Sequence, residues 1–466
     1  MTPATGSSNA PQAGAWSPNP PRTLCVAETY PWPARDGYTL RLSNMVAALR
    51  RRGPVDLLCL DGSGRRRDPP PEGVTVIDAP EGPEAMPRIW MPAWIRSGLP
   101  RRLVRRDFTE AARVAALVDR DRYDLTFFSH VDSWFPTHGA LGGGASIVDF
   151  DNLEDVLAAT TRTMGPMRSP DAGLVTRAAA RGRFAVASWF NLVDERRWAR
   201  VQREAATGVD RVLVCSHLDV TRSGCANAVA VPNGYTLAWE PVDHTEVRDR
   251  DRPVFLFVGL MGYPPNVDAV RWFATEVLGR LRTAVPGAVF RVVGREADSV
   301  AVLGSIDGVE IVGEVESLRP ELEGADVAVV PLRSGAGTRL KVVEAMANRI
   351  PIVSTTIGTE GIEVRDGEHV VLADGAEGFA EACVRAVGDP ALRRRLADAA
   401  WECYEENYRW SSIGDRLLRI ADEVVASPRG FVARNRRPSR DFRATKPVRE
   451  ADGSGVVGGP VADDGR

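Results

Sequence analysis

The amino-acid sequence predicts an α/β fold with two doubly wound parallel sheets, each Rossmann-like, that face a central cleft. Short uninterrupted runs of Val, Ile, Leu and Phe alternate with longer helical patterns, and the whole alternation occurs twice along the 466 residues. Such runs are typical of parallel strands that helices cover on both faces. The length suits two domains of roughly 100–200 residues each.

The strand-like runs form two series, with helical patterns such as residues 39–52 between them. The first series comprises residues 23–28, 55–60, 74–78, 124–129, 146–150 and 212–216. The second comprises residues 254–259, 289–294, 309–313, 326–331, 351–355 and 369–373. Helical patterns over residues 390–408 and 411–426 follow the last run. Because open α/β sheets bind ligands beyond the carboxyl ends of their strands, the cleft is the expected site.

Changes in composition predict the domain boundaries. The stretch 239–253 is charged, contains proline and shows no periodicity, so it separates the two series. We expect, in chain order, a disordered tail (1–21), a first Rossmann-like domain (22–240), a linker (241–252), a second Rossmann-like domain (253–400), terminal helices (401–426) and a disordered tail (427–466). Whether the terminal helices cross back to the first domain stays open at this point.

Overall composition argues against several classes of protein. The net charge of −3 and the pI near 6.1 do not favour a nucleic-acid partner. The six cysteines are scattered and never form C-x-x-C, which indicates reduced thiols rather than a disulfide frame or a zinc site. The chain starts without the features of a signal peptide, and no run of about 18 apolar residues occurs. We therefore expect a cytoplasmic location.

The segment 331–361 predicts an anion-binding junction. It combines the end of a strand, a glycine-rich loop, a helix and a buried strand. Gly335 and Gly337 let backbone N–H groups approach anionic oxygens closely. Thr338 is the predicted N-cap of the helix, whose positive dipole end points at the same place. This arrangement suits a nucleotide diphosphate.

Two cations follow the loop, Arg339 and Lys341. Lysine is rare here: the chain has Lys341 and Lys446 among 59 basic residues. Glu344 lies three residues after Lys341, so both side chains share one helix face. One interpretation assigns the cations to a diphosphate and Glu344 to ribose hydroxyls; the other is a surface ion pair.

These blocks resemble family four of the glycosyltransferases, which have two Rossmann-like domains (the GT-B architecture). The resemblance covers about residues 22–425 and is strongest over FVGLMGYPPNVDAVRWF, VFRVVG, VEIVGEV, ADVAVVPLRSGAGTRLKVVEAMA and PIVSTTIGTEGI. It implies transfer of a sugar from a nucleotide-diphosphate donor with retention of anomeric configuration. It also implies a donor on the second domain, an acceptor on the first, and neither metal nor cofactor. The acceptor, whether a glycan, a lipid-linked sugar or a small molecule, stays open.

The resemblance also locates donor-binding candidates. Many members carry two glutamates in the loop and helix; the second matches Glu344, and the first falls on Ala336. Many place an arginine after the glycine that matches Gly259 and a lysine six residues later. In this chain those positions are Leu260 and Asn266, so we expect Arg339 and Lys341 to supply the charge on the leaving diphosphate. The donor-binding candidates are Glu344, Gly335, Gly337, Thr338, Gly37, Gly259, Asn266 and Gly313.

Further candidates lie in the first domain. His130 ends a predicted strand and is, with Arg339 and Lys341, a catalytic candidate, since the family often has a sugar-contacting histidine in this region. Asn152 and Glu154 follow another strand and are acceptor-side candidates, with helix capping as the alternative.

Other motifs carry weaker interpretations. Asp149 and Asp151 imitate the Asp-x-Asp metal motif of the other glycosyltransferase architecture, but no metal site is expected. The segment 62–67 begins like a dinucleotide fingerprint without its third glycine. Residues 86–108 combine six arginines with two tryptophans, which fits either peripheral membrane contact or a packed loop and helix. Residues 181–204 are predicted to form a plain amphipathic helix.

Two functional alternatives stay open beside a metal-independent glycosyltransferase. One is a nucleotide-sugar-binding protein without catalysis, which the residues Ala336, Leu260 and Asn266 suggest. The other is a different enzyme on the same architecture, such as an epimerase or a phosphorylase. Donor hydrolysis or transfer distinguishes the first alternative from a transferase.

Overall fold

The computed structural model describes residues 19–34, 36–60, 68–78, 90–105, 109–163, 174–244, 251–335 and 337–427. The predictions for 1–18, 62–67 and 428–466, and that for Ala336, lie outside these residues.

The first half of the chain forms a parallel sheet covered by helices. Within the described residues its strands are β1 (Thr23–Ala27), β2 (Val55–Cys59), β3 (Val74–Asp78), β4 (Leu125–Ser129), β5 (Ser146–Phe150), β6 (Arg211–Val214) and β7 (Ala228–Ala230). Its helices are α1 (Gly37–Leu49), α2 (Trp90–Ser97), α3 (Arg101–Val104), α4 (Thr109–Leu117), α5 (Val131–Leu141), α6 (Glu154–Thr163), α7 (Leu174–Gly208) and α8 (His217–Ser223). The strand order is β3-β2-β1-β4-β5-β6-β7.

The second half repeats this scheme. Its described strands are β8 (Val254–Val258), β9 (Val289–Val293), β10 (Val309–Gly313), β11 (Val327–Val330), β12 (Ile352–Ser354) and β13 (Val371–Leu372). Its helices are α9 (Pro264–Trp272), α10 (Leu278–Ala284), α11 (Arg319–Gly324), α12 (Leu340–Ala347), α13 (Ala376–Gly388), α14 (Pro390–Asn407) and α15 (Trp410–Ala426). The strand order is β10-β9-β8-β11-β12-β13, again with parallel neighbours.

The predicted class of two doubly wound parallel sheets is therefore confirmed. Every predicted strand is present, and β7 is an additional edge strand that the sequence analysis did not identify. The central strands are buried along their whole length, as β1, β2, β4 and β5 show. This burial explains why these strands read as continuous apolar runs rather than as alternating ones.

The last helix of the described chain returns to the first sheet. Ile413, Leu417 and Ile420 of α15 lie in the same buried cluster as Leu42 and Met45 of α1. Exposed ion pairs border this contact, with Arg51 Nη2 lying 2.6 Å from Asp415 Oδ1 and Arg52 Nε 2.8 Å from Asp422 Oδ1. The C-terminal helix thus completes the core of the N-terminal half.

Two segments cross between the halves and bind each other. The backbone N–H of Tyr235 donates to the carbonyl of Tyr408 at 2.9 Å, and the Tyr404 hydroxyl donates to the carbonyl of Tyr235 at 3.1 Å. The paired segments are the one that leaves β7 and the one that joins α14 to α15. No helix of the described chain is long and apolar enough to span a membrane.

Candidate active site

The carboxyl ends of both sheets open toward a shared cleft. In each sheet the strand order reverses beside the first strand, at β1 and β4 in one and at β8 and β11 in the other. Such switch points are where doubly wound sheets bind their ligands. The loops after these strands supply most of the residues considered below.

A cavity of about 580 Å³ lies mainly in the second domain. It is bounded by the end of β8, the loop after β11 and the first turns of α12. Leu40 and Tyr235 complete it from the first half and the crossing segment. Its lining includes the predicted donor residues Gly259, Asn266, Gly335, Thr338, Arg339, Lys341 and Glu344. We refer to it as the donor cavity.

Lys341 is held against the wall of this cavity. Its Nζ donates to Asn266 Oδ1 at 2.8 Å and lies 4.0 Å from the centroid of the Phe257 ring. Burial lowers the pKa of Lys341 to about 7; Arg339 acts in the same direction, and Glu344 opposes both. The lysine is therefore no surface cation, and an anion in the cavity would favour its charged form.

Asn266 and Gly259 fit closely around that ammonium. Asn266 Nδ2 donates to the carbonyl of Leu260 at 2.8 Å, which leaves Oδ1 facing Lys341. A Cβ atom at Gly259 would lie 2.8 Å from Asn266 Nδ2 and 3.1 Å from Lys341 Nζ. A side chain at position 259 would therefore displace the ammonium, which explains the glycine.

Glu344 lies one helical turn beyond Lys341 and is partly buried. Burial raises the pKa of Glu344 to about 7, while a hydrogen bond from Tyr235 and the charge of Lys341 act against the increase. An acceptor group in this position suits the paired hydroxyls of a ribose. Sequence reasoning missed Tyr235, which directly follows Asn233-Gly234, a pair typical of a turn.

Arg339 and Thr338 have roles that differ from those predicted. The helix begins at Leu340 with Arg339 in the N-cap position, and no side chain caps it. Instead, the Thr338 hydroxyl accepts a hydrogen bond from Asn233 Nδ2 at 3.0 Å. The prediction of Thr338 as N-cap is therefore wrong, since its side chain is engaged by the first half of the chain.

The Arg339 guanidinium holds the glycine loop. It is 5% exposed and donates to the carbonyls of Gly335 (3.0 Å), Ile357 (3.3 Å) and Gly337. Both glycines have positive φ, 132° at Gly335 and 82° at Gly337, a backbone conformation that residues with side chains rarely adopt. Arg339 thus shapes the loop, and Lys341 is left as the cation beside Asn266.

Gly37 and Gly313 lie apart from this group. Gly37 opens α1 after an Asp36–Thr39 capping box, and a Cβ atom there would meet nothing within 4 Å. Gly313 ends β10 with φ at 83°, and its carbonyl accepts from the N–H of Gly294 at 2.8 Å. Neither residue lines the donor cavity.

His130 lies between two carboxylates in the first domain. Its Nδ1 is 2.9 Å from Asp132 Oδ2, and its Nε2 is 3.1 Å from Glu154 Oε1. Burial opposes its charge, but these two partners outweigh that effect and raise the pKa of His130 to about 10. Its φ of 77° is unusual for a residue with a side chain and is the kind of strain often found at functional sites.

Arg102 completes this cluster from α3. It lies 2.5 Å from Asp132 Oδ2 and 2.9 Å from Glu154 Oε1. The Glu154 carboxylate pairs with both His130 and Arg102. Glu154 is buried and does not line either cavity of the site. The structure thus places Glu154 beside the histidine rather than on an open acceptor surface.

A second cavity of about 290 Å³ lies on the other side of the glycine loop. Asn152 lines it from the first domain, and a Cβ atom at Gly337 would come within 2.9 Å of Asn152 Oδ1. Ser334, Gly335, Thr338 and Arg339 line both cavities, so the loop alone separates them. We refer to this space as the second cavity.

The Asp-x-Asp pair contributes to structure. Both carboxylate oxygens of Asp149 accept from Arg41, each at 2.7 Å, and the pair is buried. Arg41 Nη1 also donates to Asn233 Oδ1 at 2.9 Å, and Asn233 Nδ2 donates to Asp151 Oδ1 at 3.0 Å. Through Asn233 this network reaches Thr338 on the glycine loop. Arg41 carried no recognisable signal in the sequence, and Asn233 belongs to an Asn-Gly pair that is typical of a turn.

Among the described residues, the ligand atoms of Glu28, His130 and Asp132 lie within 4.8 Å of one another. Such a group has suitable atoms for a cation. However, His130 and Asp132 already neutralise each other, and Arg102 adds a second positive charge next to Asp132. A divalent ion would therefore have to compete with His130 and Arg102 for the Asp132 carboxylate.

Comparison with known proteins shows that parts of the chain are similar to glycosyltransferases. Residues 252–389 match the family described as "Glycosyl transferases group 1". The chain is 28% identical over 128 residues to a phosphatidyl-myo-inositol mannosyltransferase of Mycobacterium leprae, which covers 27% of this chain and 34% of that protein. It is 29% identical over 212 residues to a D-inositol 3-phosphate glycosyltransferase of Rhodococcus opacus, covering 41% and 46%. Each match thus spans less than half of the curated relative.

Solved structures share the fold over most of the chain. Sucrose-phosphate synthase from Thermosynechococcus elongatus superposes with a TM-score of 0.60 at 19% identity, covering 87% of this chain and 99% of that one. Anabaena Alr3699/HepE in complex with UDP gives a TM-score of 0.54 at 13% identity, covering 86% and 100%. The chain therefore has the GT-B fold, and the resemblance to family-four glycosyltransferases is confirmed.

Proposed function

We propose that this chain is a cytoplasmic, metal-independent, retaining glycosyltransferase that uses a nucleotide-diphosphate sugar as its donor and no cofactor. The observation that carries the proposal is the donor cavity. There, a glycine loop, the Lys341 ammonium and the Glu344 carboxylate line one space at the carboxyl ends of β8 and β11. The complex of a structural neighbour with UDP supports this class of donor.

Each part of the donor has a matching part of the cavity. Glu344 accepts the ribose hydroxyls, and the loop N–H groups with Lys341 face the diphosphate. The nucleobase occupies the outer end, whose lining includes Val293, Gly294 and Val315.

The chemistry needs positive charge at the leaving group. When the bond from the anomeric carbon to the diphosphate oxygen breaks, negative charge grows on that oxygen. A fixed ammonium aimed there stabilises the transition state more than the ground state. The acceptor hydroxyl attacks from the same face and gives its proton to the departing phosphate, so no carboxylate nucleophile is required. Same-face attack of this kind is the mechanism usually described for the glycosyltransferase family that this chain resembles.

The acceptor enters from the first domain. We assign it to the second cavity, where Asn152 faces the glycine loop, and assign the donor sugar to the region between that loop and His130. Closure of the two halves, held by the hydrogen bond between Asn233 and Thr338, would exclude water and limit donor hydrolysis. A contact of residues 86–108 with a membrane surface belongs to the same proposal, since it suits a lipid-linked acceptor.

The first experiment screens nucleotide sugars by thermal unfolding. A ligand at 100 times its Kd adds about 2.7 kcal/mol of stability. Donors that stabilise the protein are then tested for release of the nucleoside diphosphate and, with candidate acceptors, for transfer; the anomeric proton coupling in the product reports retention. Stabilisation without hydrolysis or transfer by any donor would favour the non-catalytic binding protein. Interconversion of the donor sugar itself would favour an epimerase.

A further inference from the structure

Tyr235 places its hydroxyl group on the Glu344 carboxylate in the wall of the donor cavity. Both residues line the cavity, although Glu344 belongs to α12 and Tyr235 to the segment 231–235 that leaves β7. The hydroxyl is hydrogen-bonded to the Glu344 carboxylate and to the side-chain amide of Asn348. The carboxylate that we assign to the ribose is therefore held by a group from outside the second sheet and its helices.

Asn348 determines which way the hydroxyl proton points. This residue is buried directly after α12, where its Nδ2 donates to the backbone carbonyl of Glu344 at 2.8 Å. Its Oδ1 accepts from Trp239 Nε1 at 3.1 Å, so the orientation of the amide is fixed at both ends. Burial and the charge of Glu344 raise the pKa of Tyr235, whereas the Asn348 contact lowers it, as a donor to the phenol oxygen does. The phenol thus accepts from Asn348 and donates its own proton to Glu344.

The backbone of Tyr235 is fixed by the junction between α14 and α15. Its N–H donates to the carbonyl of Tyr408 at 2.9 Å, and its carbonyl accepts from the Tyr404 hydroxyl at 3.1 Å. The preceding residue packs just as closely, since a Cβ atom at Gly234 would lie 2.7 Å from Ile413 Cδ1 and 2.8 Å from the carbonyl oxygen of Tyr408. The direction in which the tyrosine ring leaves the backbone is therefore set by this junction.

The other end of the segment is fixed by the first half of the chain. Arg41 is buried and donates to the carbonyls of Val231 at 3.0 Å and Pro232 at 3.2 Å. It also donates to Asn233 Oδ1 at 2.9 Å, two residues before Tyr235. The position of the phenol thus depends on the first sheet and on the α14–α15 junction together, and the second domain alone does not determine it.

We propose that Tyr235 is a positioning residue that orients the Glu344 carboxylate and thereby sets the preference of the site for ribose over 2′-deoxyribose. The inference rests on the proposed function, because it takes the donor cavity as the nucleotide site. An ionised carboxylate offers about four acceptor positions on two oxygens. The phenol occupies one position and holds the group still, which leaves the others for the neighbouring 2′- and 3′-hydroxyls. Without the phenol, a contact with both hydroxyls must first immobilise the carboxylate, which weakens that contact.

The experiment measures the Kd of UDP, GDP and their 2′-deoxy counterparts for the full chain by calorimetry. For the base that binds more tightly, the wild type should prefer the ribonucleotide about tenfold. Tyr235→Phe keeps the ring, removes the hydroxyl and should reduce this preference to about twofold. In the Glu344→Gln background the same change should alter the preference by less than about twofold, because Tyr235 acts through the carboxylate. With the identified donor, Tyr235→Phe should raise KM more than it lowers kcat, since the ribose contact already exists in the ground state.

Tyr123→Phe is the matched control, because the Tyr123 hydroxyl also donates to a carboxylate, Asp56 Oδ2 at 2.7 Å, and the residue lines neither cavity. This variant should keep the wild-type preference, and thermal unfolding checks that each variant is folded. The same preference in Tyr235→Phe as in the wild type would overturn the inference, while ribonucleotide binding and sugar transfer would leave the proposed function standing. A wild-type protein that binds neither ribonucleotide would overturn the proposed function and this inference with it.

Discussion

The Nζ atom of Lys341 lies 2.8 Å from the Oδ1 atom of Asn266, so the two side chains form one polar unit on the wall of the donor cavity. They come from different helices, α12 and α9, and meet over Gly259. In many proteins that this chain resembles, the position of Asn266 carries a lysine. In this chain an ammonium delivered from α12 lies within hydrogen-bond distance of the Asn266 side chain.

This contact predicts that a lysine at position 266 can partly replace the ammonium of Lys341. Lys341→Ala should lower kcat by about 10²–10³-fold with a smaller effect on KM, because the ammonium acts on charge that grows in the transition state. Adding Asn266→Lys to that variant should restore at least about tenfold in kcat, since the new ammonium starts beside the vacated position. Steady-state kinetics with the identified donor measures both.

Two further variants sharpen this test. Lys341→Arg should be impaired, because a planar fork replaces a compact ammonium next to Gly259. Arg280→Ala removes a cation of α10 that lies 3.9 Å from Glu276 and lines neither cavity, so it should leave kcat near its wild-type value. Normal turnover in Lys341→Ala would return that residue to a structural role.

Donor binding should take up protons at pH 8. Lys341 has its pKa lowered to about 7 by burial, so much of it is neutral at that pH. The donor diphosphate raises this pKa again, and the lysine then binds a proton. Calorimetry in buffers of different ionisation enthalpy should report uptake in the wild type and none in Lys341→Arg. Uptake of the same size in both proteins would assign the proton to another group.

Glu344→Gln should weaken donor binding while stabilising the free protein at pH 7. The pKa of Glu344 is raised to about 7 from an ordinary value of 4.5, so the folded state holds its proton more tightly than the unfolded state. Stability therefore falls as pH rises from 4.5 to 7. Glutamine removes this cost, on the order of 1 kcal/mol at pH 7, and the difference should vanish below pH 4.5.

Denaturant unfolding across this pH range and calorimetric titration with donor measure the two effects. Glu323→Gln is the control, because Glu323 pairs with Arg319 on α11 away from the cavity. Unchanged donor affinity in Glu344→Gln would remove the glutamate from the ribose site, whatever its effect on stability.

His130 should stabilise the fold most at low pH. Its folded pKa is raised to about 10 from 6.5, so its contribution is fully present below pH 6.5 and is lost as pH rises through about 10. The loss of unfolding free energy in His130→Gln should be on the order of 2 kcal/mol near pH 6 and should shrink toward pH 10. His217→Gln, which alters an exposed pair with Glu363, is the control variant.

Metal chelators should leave activity unchanged. In the proposed function, Lys341 and the loop N–H groups supply the charge that a divalent ion would provide, and the Asp149 carboxylate is engaged by Arg41 at 2.7 Å. Asp149→Asn should destabilise the fold by about 3–5 kcal/mol, because it leaves a buried arginine without its partner. Loss of turnover with chelator and recovery with manganese would contradict metal independence. It would direct attention to Glu28, His130 and Asp132.

The sequence was a good guide where one local pattern decides the structure. Buried parallel strands read as apolar runs, and Gly335 and Gly337 marked the loop that separates the two cavities. The separate roles of Arg339 and Lys341 at this loop were harder to predict from the sequence. Arg339 and Lys341 look alike in the sequence, yet one guanidinium binds loop carbonyls and one ammonium faces Asn266. That difference depends on which groups each side chain reaches in the folded loop, and the spacing of residues in the sequence does not reveal it.

Contacts between distant segments were also beyond the sequence. Asn233 links Arg41 to Thr338, and Tyr235 reaches Glu344, but both residues lie in a segment whose pattern indicated only a turn. Likewise, the ring of Trp94 packs against that of Phe190 on α7, almost a hundred residues later in the chain. These relationships arise from tertiary packing, which local periodicity does not encode.

The return of α15 to α1 has a consequence for synthesis on the ribosome. The N-terminal half emerges first, yet Ile413, Leu417 and Ile420 supply part of its buried cluster. While the second half is being synthesised, part of the apolar surface of Leu42 and Met45 stays uncovered. The buried cluster of the first domain is therefore complete only after residues 413–420 have left the ribosome. A chain that stops before α15 would leave part of this apolar cluster exposed.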